Sequence, residues 1–428
     1  MVRYKSHMLM LFNKICGAEY NKFRLGQILF IIAVTFGLYL GDTARRILMI
    51  GALFCLTKVQ IKEKFYEDWD KEQKTTGYIF LALWLWVFFI PLFLGIDPIL
   101  ERLRSTEWCI ELFIFMWSTM MFAKDAFFIN NFRRSAIAAC ALYSIIAMLQ
   151  RYLLDFVVDF SNWPFGLGAW SVGTILSVLL PWVLYDLIVQ KSLWKKGCLL
   201  FVFIISSLTL FFTLYTTFWL VFCVQIAVAL AMVLIFSKGN FFRIFISLTA
   251  IMAIGALSVY GASFRYQNIY RGFGEQVDQI FFSGHDIQKF TSRRYSIWSD
   301  AVKVIKLRPI QGYGWAEFAD YNPEHINHTH SAFLQAAWTA GWPAMLLLIA
   351  FLLRLLYLCV VFMKRKNKMS VIPFIVVLVI FTYMSCGMLD DMFRAKRRIV
   401  TLYWVSYMLM FTPLVKDEKY SVSKFDNQ

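Results

Sequence analysis

Four of the chain's five histidines, His285, His325, His328 and His330, fall in one stretch between Ser263 and Ser331, together with Arg265, Arg271, Arg293 and Arg294. A guanidinium holds phosphate in a bidentate fork, and imidazole, with an ordinary pKa of ~6.5, can take a proton near neutral pH. The pair His328-X-His330 at the mouth of a helix also invites a metal reading. Two histidines rarely suffice for a metal, and the nearby Asp and Glu have no recognisable ligand spacing, so no metal or other cofactor is expected. Taken singly, His330 reads as a surface or helix-capping residue and each Arg as an interfacial side chain snorkelling to water. Their company in one segment is what points to chemistry.

The stretch contains its own positioning elements. Ile297, Ala301, Val304 and Ile305 recur at i, i+4, i+7 and i+8, which predicts an amphipathic helix over 294–305. It must stop before Arg308-Pro309, because the residue before proline disfavours helix. Gly312-Tyr313-Gly314-Trp315 turns the chain, and a second helix follows Ser331 and leads through Gly341-Trp342-Pro343 into an apolar segment.

The rest of the chain is built for lipid. Of 428 residues, 60% are hydrophobic and 16% charged, against about half and a quarter in a soluble domain. The 43 Phe and 15 Trp suit lipid-facing surface and interfacial belts. The eight cysteines lie in or beside apolar segments without metal-type spacing and read as buried small hydrophobes. Residues 1–24 are polar and basic and run straight into an apolar segment, so no cleaved leader is expected. With about 20 apolar residues per span, twelve spans are predicted near 26–41, 45–58, 77–96, 107–123, 134–150, 167–189, 197–213, 217–237, 244–262, 342–362, 370–389 and 399–415.

With both termini cytoplasmic, the inward segments hold 25 Lys and Arg and the short outward loops 9, which sets that orientation and places the long loop in the periplasm. The net charge of +16 is then mostly inward-facing loops, and no nucleic-acid partner is expected. The expected fold is an all-α polytopic membrane protein of about twelve helices with a helical periplasmic loop before the tenth span. It divides into a bundle over 1–262, a loop carrying the site over 263–341, and C-terminal spans with a tail over 342–428.

The block Arg294-X3-Trp298, then Arg308-Pro309-Ile310-X-Gly312-X-Gly314, then His328-X-His330-Ser331-X2-Leu334-Gln335 resembles the O-antigen ligase and polymerase superfamily. Ligases carry His, then Asn, Ser or Gln, nine residues, Gly, two residues, and Gly, Thr or Tyr. This chain has His330-Ser331, residues 332–340, Gly341 and, after two more, Ala344, so only the last position departs. Twelve spans with the long loop before the tenth also resemble the ligases, and Gly387-Met388-Leu389-Asp390 adds a weaker likeness. Ligases further carry an Arg at the outer end of the seventh span. The comparable stretch Leu210 to Phe218 has none, nor does any position between Arg151 and Arg243.

The resemblance implies a glycosyltransferase of the bacterial inner membrane. It would move a glycan from an undecaprenyl-diphosphate-linked donor to a sugar hydroxyl of lipid A–core, among membrane lipids, with inversion and without metal or ATP. Under it His330 is the general base and Arg294 the catalytic cation, with Arg265, Arg293 and His328 touching diphosphate or sugar. Arg394, Arg397 and Arg398, or Arg151, stand in for the missing cation. Trp298 and Trp315 suit sugar stacking, but helix packing and interfacial anchoring are favoured for them; Asp390 and Asp391 could position a basic side chain, with an exposed loop pair as the default. Two other readings stay open. One is a polymerase joining lipid-linked repeat units, whose Arg-X15-Gly pattern is broken here by Ile310. The other is a transporter or flippase, although Arg354 is the only clear charge expected inside a span.

Overall fold

The computed structural model describes residues 21–56, 67–153, 168–213, 215–236, 294–323, 325–366, 370–393 and 397–413. Among them every regular element is helical and no strand occurs. Residues 21–35 form α1. There follow α2 (Gly37–Phe54), α3 (Lys71–Leu94), α4 (Ile99–Phe122), α5 (Ala126–Leu153), α6 (Ala169–Val189), α7 (Leu193–Phe212) and α8 (Thr216–Phe236). After the undescribed residues 237–293 come α9 (Arg294–Ile305), a 3-10 turn (Phe318–Tyr321), α10 (Ala332–Lys366), α11 (Val371–Leu389) and α12 (Arg397–Met408).

Seven of these, α3, α5, α6, α7, α8, α10 and α11, are long and apolar enough to cross a membrane, and Val400–Phe411 is a shorter apolar helix. The expected spans at 77–96, 134–150, 167–189, 197–213, 217–237, 342–362 and 370–389 each coincide with one of the seven. Those at 107–123 and 399–415 fall on α4 and α12, and 244–262 lies outside the described residues. The first two differ from expectation. The chain breaks at Phe36 and again at Gly41, whose φ of 77° only glycine adopts freely, so the boundary sits earlier than the apolar runs suggest.

α6 and α11 are buried along nearly their whole length and form the centre. α11 packs against α8, α10 and α6; α5, α6 and α7 pack on one another; α4 lies along α12 and α3 along α10. Charges are paired across helices more often than the sequence suggested. Arg354 meets Glu72 at 2.7 Å and Arg133 meets Asp186 at 3.4 Å. Arg45, expected in an outward loop, is buried against Glu111 and Thr401.

The break in α10 positions the site. Ala340 and Gly341 leave helical geometry, Gly341 at φ 78°, and Pro343 follows, so a short arm (332–339) is set off from the membrane-crossing part. Carbonyls that lose helical partners there must be satisfied elsewhere. Tyr313 N donates to Trp338 O at 2.7 Å, Gly314 N to Thr339 O at 3.0 Å, and Trp86 Nε1 to Ala340 O at 2.7 Å. In return Trp342 N donates to Pro309 O at 2.8 Å. The Pro309–Gly314 segment therefore clasps the kink, and a Cβ at Gly341 or Gly312 would strike the opposing backbone.

A separate small core lies over this clasp. Ile297, Ala301 and Ile305 of α9 meet Tyr313, Phe318, Ala337 and Trp338, with Val304 at the edge, as the predicted stripe requires. Trp338 is fully buried, stacks on Tyr313 at 4.3 Å, and donates its indole N–H to Ala316 O at 2.9 Å. Truncating a side chain so placed costs about 3–5 kcal/mol.

Candidate active site

His330 sits immediately before the arm with φ +50°, a left-handed conformation that an L-residue adopts at a cost of about 1 kcal/mol. Its surroundings hold it there. Thr329 is buried and bonded through N and Oγ1 to Gln335 Oε1, at 3.2 and 3.3 Å. Ser331 caps the arm: its carbonyl accepts from Gln335 N at 2.8 Å and its hydroxyl faces Leu334 N at 3.5 Å. Trp298 of α9 donates its indole N–H to His330 O at 3.3 Å. The helix and the arm expected from sequence thus meet at the His330 backbone.

That imidazole faces Asp390, at the carboxyl end of α11. His330 Nδ1 lies 3.5 Å from Asp390 Oδ1, and the other carboxylate oxygen accepts from Trp170 Nε1 of α6 at 2.6 Å. Asp391 N donates to Asp390 Oδ1 at 3.0 Å. Burial alone would push the Asp390 carboxyl up, yet His330, the Trp170 indole and the Arg294 charge together hold it below the usual carboxylate value. Asp390 and Asp391 are each 8% exposed, which corrects the reading of them as an exposed loop pair.

Arg294, on the first turn of α9, shares this electrostatic neighbourhood. Burial lowers its pKa while Asp390 and Tyr215 oppose the shift, and a guanidinium remains charged under any physiological condition. Its Nε is buried without a hydrogen-bond partner. Tyr215 stands in the turn between α7 and α8. Burial raises its hydroxyl pKa, Asp390 adds to that and Arg294 offsets it. His328 lies beside His330, with ring centroids 4.2 Å apart.

Of the residues predicted from sequence, His330, Arg294 and His328 are therefore brought to one place. Arg265, Arg293 and Arg394 lie outside the described residues. Arg397 and Arg398 begin α12, with their side chains undescribed. Trp315 is buried edge-to-face on Trp108 at 5.3 Å and serves packing. The sequence reading missed Trp170 and Tyr215 and undervalued Asp390, whose only signal was the Gly387-Met388-Leu389-Asp390 likeness.

An imidazole whose Nδ1 faces a buried carboxylate has its other nitrogen free to receive a proton, and a neighbouring guanidinium can stabilise an anionic leaving group. No curated protein matches the chain. Residues 201–349, from within α7 to within the membrane-crossing part of α10, match the family model described as O-Antigen ligase. That segment, about a third of the chain, includes Tyr215, Arg294, His330 and the Gly341 kink, and over it the chain is similar to the O-antigen ligases.

Proposed function

We propose that this chain transfers a glycan from undecaprenyl diphosphate to a sugar hydroxyl of lipid A–core, at the periplasmic face of the bacterial inner membrane. In this reading both termini are cytoplasmic. The segment 263–341 is an active-site insertion between the bundle 1–262 and the C-terminal spans 342–428, and the chain crosses the membrane twelve times. The observation that carries the proposal is the pair His330 and Arg294 inside the family-matched segment, with the buried Asp390 from beyond it facing His330.

The acceptor oxygen attacks the anomeric carbon. The bond from that carbon to the diphosphate oxygen breaks, and its electron pair leaves on undecaprenyl diphosphate. The hydroxyl proton passes to Nε2 of His330, while Asp390 accepts from Nδ1–H and keeps the ring oriented. Arg294 opposes the charge that develops on the diphosphate. Tyr215 supplies a neutral donor where related ligases carry Arg, and Arg265, Arg293, His328, Arg394, Arg397 and Arg398 complete the diphosphate and sugar contacts. The leaving group is already a competent one, so nucleotide is not consumed, and a single displacement inverts the anomeric centre.

The test is reconstitution of purified protein with undecaprenyl-diphosphate glycan and lipid A–core, in EDTA and without nucleotide. Capped lipopolysaccharide of inverted configuration, lost in His330→Ala and Arg294→Ala, is the expected result. Longer lipid-linked chains without capping would make the protein a polymerase. No covalent product from either acceptor would leave a transporter.

A further inference from the structure

His328, His330 and Asp390 each present one ligand-type atom, and the three atoms lie within 4.8 Å of one another. We propose that this triad binds a divalent transition-metal ion of the zinc type, and that occupancy switches the transferase off. The switch rests on the transfer reading above; the binding site does not.

A tetrahedral zinc with nitrogen and oxygen ligands at ~2.0–2.1 Å needs neighbouring ligand atoms about 3.4 Å apart. His330 Nδ1 and Asp390 Oδ1 stand at 3.5 Å already. His330 Nδ1 is buried and makes no well-formed hydrogen bond, so a polar atom that needs a partner is held facing the carboxylate. The carboxylate is fixed from behind by Trp170 Nε1 at 2.6 Å on its other oxygen, as donors behind ligating groups orient them in metal sites. His328 comes from the same turn with its ring plane tilted 48° to that of His330, and the remaining closure falls on that side chain. Two imidazoles and one carboxylate suit zinc, nickel or cobalt, whereas calcium and magnesium prefer oxygen ligands throughout. Three protein ligands leave a fourth position for water. The nearby Arg294 charge works against a second cation, which keeps binding reversible.

Metal on Nδ1 leaves the imidazole proton on Nε2. Transfer needs the reverse tautomer, with the lone pair on Nε2 facing the acceptor hydroxyl, so one ring cannot serve both roles. Two residues apart in sequence, His328 and His330 are two of the three ligands. Asp390, sixty residues further on, is the ligand that no spacing could supply.

The test uses the purified chain in detergent, stripped with EDTA and titrated with zinc chloride against a chromophoric zinc chelator. One equivalent should bind. His328→Ala and Asp390→Asn should each weaken binding at least tenfold while eluting from gel filtration like the parent. A Cys198→Ser, Cys223→Ser variant, which removes two exposed thiols, should bind like the parent. Absence of binding, or binding lost with the thiols and kept in the triad variants, overturns the site. In the transfer assay, turnover should fall over the same zinc range and return with EDTA. Zinc bound without loss of turnover overturns the switch. A protein inactive at every zinc concentration refutes the transfer reading and the switch with it, while the titration still decides the site.

Discussion

Trp170 donates its indole N–H to Asp390 at 2.6 Å, joining the start of α6 to the end of α11 behind the carboxylate that faces His330. This bond fixes where that carboxylate sits, and through it which way the imidazole turns. Trp170→Phe keeps most of the packing and removes the donor. Under the transfer reading, kcat should fall about tenfold with KM nearly unchanged, since the acceptor and donor contacts remain. A KM effect alone, with kcat intact, would remove Asp390 from the positioning role.

The arm and α9 were legible because each repeats a local rule. Ile297, Ala301, Val304 and Ile305 fall on one helical face, and the helix ends at Ile305, before Arg308-Pro309, as expected. Ser331 opens a helix and Gly341 breaks it, as the spacing between them suggests. What remained hidden depends on contacts between distant segments. Nothing near Asp390 in the chain signals that Trp170 and His330 will meet it, and a polar pair after an apolar run reads by default as exposed. Arg45 was misplaced for the same reason, since its partner Glu111 lies on another helix and turns a loop charge into a buried one. The early break at Phe36 and Gly41 escaped because both flanks are apolar and hydropathy does not register backbone dihedrals.

Gly341 should tolerate no side chain. Its φ of 78° is strained for any L-residue, and the carbonyls of Pro309 and Ile310 occupy the space a Cβ needs. Gly341→Ala should destabilise the protein by about 1–3 kcal/mol from backbone strain, with further loss if the Trp342–Pro309 bond opens. Thermal unfolding in detergent measures the first effect. Easier proteolysis of the 309–314 clasp would report the second, and a melting curve like the parent's would show that the kink is not under constraint.

Asp390 should make stability depend on pH in one direction. Its folded-state pKa is lowered, so the ionised form is favoured by folding. The stabilisation is present above the unfolded value of ~3.9 and is lost as pH falls through the folded value. Asp390→Asn should therefore be less stable than the parent at pH 7. The gap should shrink as the pH drops below about 4. Paired thermal melts across that range decide it, and a gap that widens on acidification would mean that the carboxyl is held neutral.

His330 can be separated from its place in the fold because its φ of +50° is one that Asn tolerates well among L-residues. His330→Asn should keep the turn between Thr329 and the Ser331 cap, and with it the bond from Trp298 to the residue 330 carbonyl. Its melting temperature should stay within a few degrees of the parent's. The amide cannot accept the acceptor hydroxyl's proton, so turnover should drop by about 10²–10⁴, the usual contribution of a general base. His330→Val, with a β-branched side chain in a left-handed backbone, should lose both stability and activity. If His330→Asn folds like the parent and retains turnover, the proton goes elsewhere and the assignment of the base is wrong.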